Sequence, residues 1–474
     1  MEICEARSFT VQRKPIARMK RIIFTKKDLE LLRSHLLRSS VEEAAIIICG
    51  ISETQEHVDF LVREVIPVPN EAFLTKESAF LKVSPEFLAP IIKRCRLQGL
   101  SVILAHSHPF SGNSVTFSFI DDFGEKELIP KIRARIPNRY HGAIVLGRSS
   151  IDAKIWEKNG DQSSTIDLIK IIGEIIEWVY PTSANVQNKI KFEEIFDRQV
   201  LAFGEAGQRK VQQVTVGIVG LGGIGSQVFQ QLVHLGVQKI ICIDNDVVEK
   251  SNLSRLVGAT LEDVEKKRSK VEVMGRLGKQ INPSLNFVGI NDSVNNFSAA
   301  IKLRDADIIF CCTDTLASRM VLNQIAYQYL IPMIDTGVEI QSKGKGKIRS
   351  AGGRVMVILP DGPCLGCLGI LNPAAISQEK EQASEQRTGY ITGEKMSAPS
   401  VISLNGVIAS LAVTEFLNLL TGFEGQKGIM TYQSYRILKG IVQRIEMKPL
   451  SDCTLCTEVK ALGDNIRLPC RLDK

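Results

Sequence analysis

The chain has 474 residues, of which 44% are apolar and 23% charged. This composition excludes a disordered or fibrous protein, and the length predicts two or three globular domains. Much of the net charge of +7 comes from a basic N-terminal stretch, which we interpret as a solvated segment because no nucleic-acid-binding pattern follows it. The basic residues of this stretch are Arg13, Lys14, Arg18, Lys20, Arg21, Lys26 and Lys27.

No signal peptide or membrane span is predicted. The N-terminus lacks the apolar core of a signal peptide. The most apolar late run, "VIASLAVTEFLNLL", is interrupted by Thr414, Glu415 and Asn418, so no stretch is expected to reach the length of a span. The 11 cysteines lack the spacing of a disulfide framework, which is typical of a reducing compartment. We therefore expect a cytoplasmic protein.

Short apolar runs and helical segments are mixed in the first part of the chain. Strands are predicted at "AAIIICGI", "LSVILAHS" and "HGAIVLG", and a helix at "TKKDLELLRSHLLRSS". The run "IDLIKIIGEIIEWVY" predicts a helix buried on all but one stripe, because its polar residues recur at helical spacing. These polar residues are Asp167, Lys170, Glu174 and Glu177. A strand followed by a shorter helix, with a break at Gly173, is the alternative.

Polar segments mark the predicted domain boundary. Residues 157–165 and 180–189 are the best linker candidates. They predict a split near residue 185, into an N-terminal domain at 1–182 and a C-terminal domain at 190–474.

A histidine pair lies at the end of one predicted strand. "ILAHSHP" places His106 and His108 one residue apart, and "SFID" follows with Asp121. Residues i and i+2 of a strand share a face, so both imidazoles can reach one metal ion. Two histidines and one carboxylate leave a fourth zinc position for water, as in catalytic zinc sites.

Further residues can complete a hydrolytic site around such a zinc ion. A nearby carboxylate can take the proton of zinc-bound water. Glu43, in "SSVEEAAIIICG", is the predicted general base, and its neighbour Glu42 is the alternative. Ser118 is predicted to donate a hydrogen bond to the oxyanion of a tetrahedral intermediate.

With a glutamate followed by HxHP and SxxD, the N-terminal domain resembles the JAMM (JAB/MPN) metalloprotease family. The resemblance implies a cytidine-deaminase-like α/β fold and an enzyme that removes ubiquitin-like proteins from lysines or trims their C-termini. It assigns the histidines, Asp121, Glu43 and Ser118 to the roles given above. The loop before Ser118 is longer than is usual in this family, so Asp122 is an alternative zinc ligand.

A glycine-rich turn opens the C-terminal domain between a predicted strand and a helix. Its glycines let the backbone approach phosphates, and the N-terminus of the helix favours their charge. They are Gly220, Gly222, Gly223 and Gly225. Asp244 ends the next predicted strand, where an acid can hold ribose hydroxyls. These features alone favour an NAD-dependent dehydrogenase.

Polar residues beyond Asp244 point instead to a nucleoside triphosphate. A triphosphate needs a cluster of cation and amide donors that a dinucleotide does not require. The candidates for this cluster are Asp246, Asn252, Arg255 and Lys270. Asp314, at the end of "DIIFCCTD", supplies a carboxylate suited to Mg²⁺.

From about residue 192 onward the chain resembles the ThiF/MoeB family of ubiquitin-activating-like adenylyltransferases. The matching stretches are "FDRQVLAFGEAGQRKV", "GLGGIGS", "DNDVVEKSNLSR", "CCTDT", "PCLGCLG" and "APSVISLNGVIASLAVTEFLNLLTG". The resemblance implies a Rossmann-like domain with a mostly parallel sheet. It implies ribose binding by Asp244, action of Asp314 with Mg²⁺, and an Arg198 that reaches across a homodimer into the partner's ATP site. The residues implied in phosphate binding are Asn252, Arg255 and Lys270.

Two CxxC pairs predict a second, structural zinc site. In a reducing compartment, two such pairs are typical of a closed site with four thiolate ligands. The four cysteines are Cys364, Cys367, Cys453 and Cys456. They match the zinc knuckle of the ThiF/MoeB family, which implies no catalytic role.

The resemblances together imply a bifunctional enzyme of a bacterial-type ubiquitin-like or sulfur-carrier pathway. The N-terminal domain would process a small β-grasp protein. The C-terminal domain would catalyse attack of that protein's C-terminal carboxylate on the α-phosphate of ATP, which forms an acyl-adenylate. The implied cofactors are ATP, Mg²⁺ and two Zn²⁺ ions, and a conjugating enzyme is a candidate partner. The alternatives are an enzyme that forms an amide or P–N product on a peptide carboxylate, and a dimeric scaffold with decayed sites.

The segment that would carry a thioester-forming cysteine contains none. No cysteine lies between Cys367 and Cys453. Cys311 and Cys312 end an apolar strand and are expected to be buried, which leaves Cys470 as the one late candidate. A nucleophilic cysteine must be exposed and have a lowered pKa. We therefore expect the adenylate to pass directly to an acceptor.

Overall fold

The computed structural model describes most of the chain as two packed α/β units. The described residues are 18–77, 80–160, 162–184, 194–342, 347–372, 374–379, 399–425 and 432–472. The N-terminal arginine and lysine at positions 13 and 14, and the predicted boundary near residue 185, lie outside these ranges. The predicted α/β class is confirmed.

A mixed sheet of nine strands, in the order β11-β10-β1-β3-β2-β6-β7-β8-β9, forms the N-terminal unit. The strands are β1 (Met19–Thr25), β2 (Ala44–Glu53), β3 (His57–Pro67), β4 (Phe73–Glu77), β5 (Phe80–Val83), β6 (Ser101–Ser107), β7 (His141–Leu146), β8 (Ile151–Trp156), β9 (Ser163–Thr165), β10 (Leu168–Ile172) and β11 (Glu177–Val179). Strands β4 and β5 pair separately. The helices are α1 (Lys26–Leu36), α2 (Pro85–Gln98) and α3 (Phe119–Arg135).

The N-terminal sheet is buried on both faces. Strand β2, "AAIIICGISE", is apolar along most of its length, and nearly all of its residues are buried, as expected for a central strand. Its alternate residues belong to two separate cores. Helix α1 packs on one face, and α2 and α3 cover part of the other.

The predicted helix at 166–180 is instead two strands. Strand β10 pairs with β1 in parallel, and β11 pairs with β10 in antiparallel. The alternative prediction had the first strand and the break but placed a helix after it. The β-branched isoleucines that fill this run favour a strand. Lys170, predicted on the exposed stripe, is buried and bonded to Asp307.

The C-terminal unit is a Rossmann-like domain around a sheet of eight strands, in the order β14-β13-β12-β15-β16-β17-β18-β19. The strands are β12 (Thr215–Val219), β13 (Lys239–Ile243), β14 (Asn286–Ile290), β15 (Ile308–Cys311), β16 (Met333–Ser342), β17 (Ile348–Ile358), β18 (Tyr432–Arg436) and β19 (Ile441–Ile445). Strands β12 to β16 pair in parallel and the last three in antiparallel, so the sheet is mixed. The helices are α4 (Asp197–Gln213), α5 (Gly225–Leu235), α6 (Leu261–Glu265), α7 (Lys270–Ile281), α8 (Phe297–Ala300), α9 (Leu316–Gln328), α10 (Ile402–Thr421) and α11 (Thr454–Thr457).

Helix α10 is long and apolar enough to cross a membrane by length and composition alone, with a mean hydropathy of 1.4 over an 18-residue window. The expectation that no stretch reaches that length is therefore wrong for this segment. The helix packs against β16, β17, α4 and α5. Its Glu415 is buried and accepts a hydrogen bond from Gln433 of β18. These are contacts of a helix packed within the C-terminal domain.

The two units meet through buried charges. In the N-terminal sheet, Arg21 of β1 donates to Asp59 of β3 at 2.6 Å and lies 3.5 Å from Asp307 of the C-terminal unit. His57 Nε2 lies 3.3 Å from Asp305 Oδ1. Asp305 and Asp307 precede β15, so the N-terminal unit covers the amino ends of the parallel strands. Ligands of such sheets bind at the opposite, carboxyl ends.

The end of the chain makes a second contact between the units. Asp464 N–H donates to Ile51 O at 2.7 Å, and the Asp464 carboxylate accepts from Glu53 N–H and from Arg304 of the C-terminal unit. Lys460 pairs with Asp28 of α1 at 3.0 Å. The predicted C-terminal domain thus contributes a segment that packs on the edge of the N-terminal one.

Candidate active sites

The predicted metal ligands of the N-terminal unit converge. His106 ends β6, and His108 continues its path because its N–H donates to Leu146 O of β7. His106 Nε2 lies 3.1 Å from Asp121 Oδ1, and His108 Nε2 lies 3.3 Å from Asp121 Oδ2. One ligand atom from each of the three residues lies within 4.8 Å of the others. They therefore have the spacing of ligands around one ion.

Asp121, and not Asp122, faces the histidines. Ser118 caps helix α3: its Oγ accepts the Asp121 N–H at 3.2 Å, and its own N–H donates to Asp121 Oδ2 at 2.6 Å. This reciprocal capping box fixes the Asp121 carboxylate. Asp122 points away and pairs with Lys154 at 2.6 Å. The structure thus gives Ser118 a role in orienting a candidate ligand.

The two neighbouring glutamates, the predicted base Glu43 and its alternative Glu42, face different surroundings. Glu42 Oε1 lies 3.5 Å from His108 Nε2, and burial raises the Glu42 pKa to about 7. Glu43 pairs with Arg38 at 3.0 Å and with Lys76 at 2.8 Å. Burial raises the Glu43 pKa, but these hydrogen bonds outweigh it, so the net shift is downward. Glu42, the alternative, is the carboxylate beside the histidines.

The donor set of this triad fits a zinc ion. Two imidazoles and a carboxylate are typical ligands of zinc. Among the described side chains, the buried His106 Nε2 is one of those without a hydrogen-bond partner of good geometry. A buried polar atom without a partner is costly, and a metal ion at the point shared with His108 and Asp121 would satisfy it.

In the C-terminal unit, the glycine-rich turn follows β12 at its carboxyl end and leads into α5. Gly220 has a φ of +88°, which favours glycine, and a Cβ there would lie 2.6 Å from Cys312 O. A Cβ on Gly225 would lie 1.9 Å from Gly220 O, so the turn closes tightly on itself. A Cβ on Gly222 would meet no atom within 4 Å. The turn therefore leaves open space at Gly222, where a phosphate can approach.

Acidic and basic residues surround this turn. Asp244 is buried after β13, and its carboxylate accepts hydrogen bonds from Leu221 N–H at 2.6 Å and Asp246 N–H at 2.8 Å. Burial raises the Asp244 pKa. Lys270 Nζ lies 2.6 Å from Asp246 Oδ2 and 3.9 Å from Asp244 Oδ1. Lys270 and both acids therefore lie together at the carboxyl edge of the sheet.

The remaining predicted residues lie at different distances from the turn. Arg255 borders it, because its Cδ lies 3.5 Å from the Cβ position of Gly223. Asn252 is buried and accepts from Glu249 N–H through its side chain, which fixes the segment before Arg255. Asp314 is exposed shortly after β15, and the carboxyl end of this strand is the one that abuts Gly220.

Arg198 does not join this group within one chain. It is exposed at the start of α4, and the adjoining Gln199 donates to His234 O near the end of α5. Helix α5 begins at the glycine-rich turn and rises about 16 Å over its length. Arg198 therefore lies at the far end of α5 from the turn.

The four predicted knuckle cysteines also converge. Cys364 Sγ lies 3.7 Å from Cys367 Sγ and 3.6 Å from Cys453 Sγ, and Cys367 Sγ lies 3.9 Å from Cys456 Sγ. Four thiolates around zinc at about 2.3 Å have sulfur–sulfur separations of about 3.8 Å. The cluster fits a structural zinc site.

Two residues near the turn were not predicted from the sequence. Gln227 donates to Gly223 O at 3.0 Å, and a Cβ on Gly223 would lie 2.2 Å from Asn405 Nδ2. Gln227 follows Gly223 by four residues, the spacing at which helical side chains reach back to the preceding turn. Asn405 is brought to the turn only by the packing of α10 on α5.

Comparisons with known proteins find matches to the C-terminal part of the chain. Residues 196–455 match the model of the ThiF family. The chain is 30% identical to the sulfur carrier protein ThiS adenylyltransferase of Escherichia coli (strain K12), over 49% of this chain and 83% of that protein. It is 25% identical to the SAMP-activating enzyme E1 of Haloferax volcanii, over 54% of this chain and 84% of that enzyme. The crystal structure of E. coli MccB with ATP is similar at 20% identity and a TM-score of 0.44, covering 56% of this chain and 75% of that one.

Proposed function

Because this chain belongs to the ThiF family, we propose that its C-terminal domain uses ATP to adenylate the C-terminal carboxylate of a small ubiquitin-like or sulfur-carrier protein. The observation that carries this proposal is the open glycine-rich turn at the carboxyl end of β12, with Asp244, Lys270 and Arg255 beside it. Relatives whose names describe the activation of ThiS and SAMP support the class of substrate.

In the proposed reaction, backbone N–H groups at the start of α5 bind phosphate oxygens, since the first N–H groups of a helix lack partners within it. Asp244 holds the ribose, and Lys270 and Arg255 neutralise phosphate charge. Asp314 would hold Mg²⁺, which supplies further charge neutralisation when bound. The carboxylate oxygen of the carrier attacks the α-phosphorus, the bond to the bridging oxygen breaks, and pyrophosphate leaves with that electron pair.

We further propose that the active form is a homodimer. Arg198 lies at the end of α5 remote from its own glycine-rich turn. An exposed guanidinium in that position serves ATP only if a second copy brings its turn alongside. A mixture of Arg198→Ala and Asp314→Ala proteins should then recover part of the lost activity, because mixed dimers contain one intact site.

The adenylation proposal is tested by ATP–pyrophosphate exchange with a β-grasp carrier and Mg²⁺. Asp314→Ala and Lys270→Ala should each reduce exchange by at least about a hundredfold, since both act on reacting phosphates. Lys266→Ala is the matched control, because Lys266 is an exposed lysine that pairs with Glu262 one helical turn away. Exchange that survives both active-site changes would contradict the proposed site.

We also propose a second activity, a zinc-dependent peptidase in the N-terminal domain that acts at the C-terminal region of the carrier. The convergence of His106, His108 and Asp121, with Glu42 beside them, supports it. These three ligands would hold zinc, which polarises a water molecule when bound. The Glu42 carboxylate would accept a proton beside His108, and Ser118 holds Asp121 in place.

Metal analysis tests this second proposal independently of any substrate. The purified protein should contain two zinc ions per chain, one at each cluster. His106→Ala should lose one of them, and Cys367→Ser should lose the other. Retention of both ions in His106→Ala would rule out the N-terminal metal site.

A further inference from the structure

The carbonyl of Gly223 has an unusual hydrogen-bond partner. Gly223 precedes α5, whose N-cap is Ile224, so its carbonyl lies outside the helical ladder and is not required to accept the main-chain N–H four residues later. Here the main-chain N–H of Gln227 donates to Ile224 O at 3.0 Å instead. The Gly223 oxygen accepts from the side-chain Nε2 of Gln227, also at 3.0 Å. A side chain of α5 thus holds the carbonyl of a turn residue that precedes the helix.

The same amide group reaches a second helix. Gln227 Nε2 also donates to Ile402 O at 3.1 Å, in the first turn of α10. Its two hydrogens therefore bridge the glycine-rich turn and α10. A Cβ on Gly406 would lie 2.7 Å from Gln227 Oε1, so the amide fits closely against α10. On the other side, the buried Asn405 rests on Gly223 and donates to Ser400 Oγ at 3.0 Å.

This bridge has a direct consequence for phosphate binding. The Gly223 carbonyl and the Ile224 N–H belong to one planar trans peptide and point in opposite directions. When Gln227 holds the carbonyl, the N–H is directed away from Gln227. Helix α5 begins without a side-chain cap. The N–H groups of Ser226 and Gln227 donate to Gly222 O and Ile224 O, so among the described main-chain groups the Ile224 and Gly225 N–H groups are the ones left for an anion. Rotation of this peptide would present an oxygen to the phosphates in place of a donor.

We propose that Gln227 is a positioning residue of the adenylation site, one that fixes the Gly223–Ile224 peptide in the orientation that binds nucleotide phosphates. This role rests on the proposed function of the C-terminal domain. Gln227 does not contact the reacting atoms. It acts by holding a donor of the turn in place before ATP arrives, which reduces the free energy spent on ordering the turn during binding.

The test replaces Gln227 with methionine, which has similar length and helix propensity but no hydrogen-bond donor. Gln231→Met is the matched control, because Gln231 Nε2 bridges α5 to Ser410 Oγ of α10 at 3.2 Å, one turn further from the glycine-rich turn. Neither change alters the charge. Binding of ATP with Mg²⁺ is measured by calorimetry on the full chain, beside the unfolding midpoint and the KM for ATP in pyrophosphate exchange.

The expected result for Gln227→Met is an affinity for ATP about tenfold lower, or about 1.4 kcal/mol, and a raised KM for ATP. Its kcat should change less, and its unfolding midpoint should stay close to that of the unchanged protein. Gln231→Met should bind ATP normally. Gln227→Ala is measured in parallel. It removes the same donor without introducing a long side chain, and its affinity for ATP should match that of Gln227→Met.

Different outcomes contradict different statements. If the unchanged protein fails to bind ATP, the proposed function is wrong, and this role of Gln227 with it. If it binds ATP and both Gln227 variants bind equally well, only the role of Gln227 is wrong. Equal losses in the Gln227 and Gln231 variants would show that general packing of α5 on α10 controls affinity, which also overturns the proposal.

Discussion

Glu42 and Glu43 are adjacent, but their carboxylates meet opposite environments. Successive side chains of an extended segment point to opposite sides. Glu42 is consequently directed at His108, whereas Glu43 is directed at Arg38 and Lys76. At the scale of single residues, this alternation separates a candidate proton acceptor from a structural ion pair.

We expect Glu42→Gln to lower cleavage activity and Glu43→Gln to lower stability. Glu42→Gln should keep zinc but lower cleavage of a C-terminally extended carrier by about a hundredfold or more, because the water loses its proton acceptor. Glu43→Gln should cleave normally but unfold at lower temperature, because two ion pairs of a buried carboxylate are weakened. The reverse pattern of activities would restore Glu43 as the base.

The surroundings of Cys311, Cys312 and Cys470 do not favour a thioester between this chain and the carrier. Burial raises the pKa of Cys312 to about 12, and that of Cys311 is also raised by burial. Cys470 Sγ donates to Val294 O at 3.6 Å. With ATP and carrier, we expect carrier–AMP but no adduct that reductant removes on non-reducing gels. A reductant-sensitive adduct that disappears in Cys470→Ala would show a thioester step.

The sequence predicts which residues form these sites better than it predicts where their side chains point. The candidate metal ligands follow from sequence spacing and from the few chemistries that such residue sets serve. They are His106, His108, Asp121 and the four cysteines of the two CxxC pairs. The choice between two adjacent glutamates depends on how the chain enters β2, which spacing does not encode. Asn405 reaches the glycine-rich turn through tertiary packing alone, and no local pattern marks it.

At the scale of elements, the glycines of the glycine-rich turn have two different roles. Some allow the turn to pack tightly on itself, and one leaves open space in which a phosphate could lie. Gly225 lies against Gly220 O, whereas Gly222 faces open space. The strand, turn and helix could be predicted here because each has its own local signal in the sequence: an apolar run, a cluster of glycines and helical spacing of apolar residues. The run at 166–180 was assigned the wrong element because an evenly apolar segment satisfies the rules of a helix and of a buried strand equally.

Alanine substitutions should separate these two roles. Gly225→Ala should lower the unfolding midpoint by about 5 °C, since the new methyl group overlaps a backbone oxygen at a cost of about 2 kcal/mol. Gly222→Ala should leave the midpoint unchanged but weaken ATP binding, because its methyl group occupies the open space. Thermal scans with and without ATP measure both effects. Normal ATP binding by Gly222→Ala would place the phosphates elsewhere.

At the scale of the whole molecule, the contact between the two units depends on a cluster of buried charges. Three carboxylates, those of Asp59, Asp305 and Asp307, face the guanidinium of Arg21 and the amine of Lys170, whose pKa is lowered by burial. Protonation of His57, which lies between Asp59 and Asp305, balances the cluster. Burial lowers the His57 pKa, but Asp59 and Asp305 outweigh it, so the net shift is upward.

The stability of the protein should therefore depend on His57 in a defined pH range. Since its folded pKa is raised above its unfolded value of about 6.5, its contribution is fully present below that value and is lost as pH rises through the folded pKa. The destabilisation caused by His57→Gln should be larger at about pH 6 than at about pH 9. Buried His35, whose pKa burial lowers, gives the opposite trend in His35→Gln. A pH-independent effect of His57→Gln would contradict the charge balance.

The amino ends of the parallel strands are covered by the N-terminal unit, so the ATP site opens at the other end of β12. The triad of His106, His108 and Asp121 lies beside the start of β2, whereas the C-terminal unit contacts the end of that strand. By strand rise, about 30 Å of β2 separates the triad from the contact between the units, and the length of β12 adds to the path to the ATP site. The C-terminal tail of a carrier bound at one site must dissociate before its carboxylate can reach the other site of the same chain. If both proposed activities are present, the trimmed carrier would leave the first site and mix with the bulk pool before adenylation. Unlabelled trimmed carrier added in excess should dilute the label in carrier–AMP formed from a labelled precursor, as it would if two separate enzymes catalysed the steps.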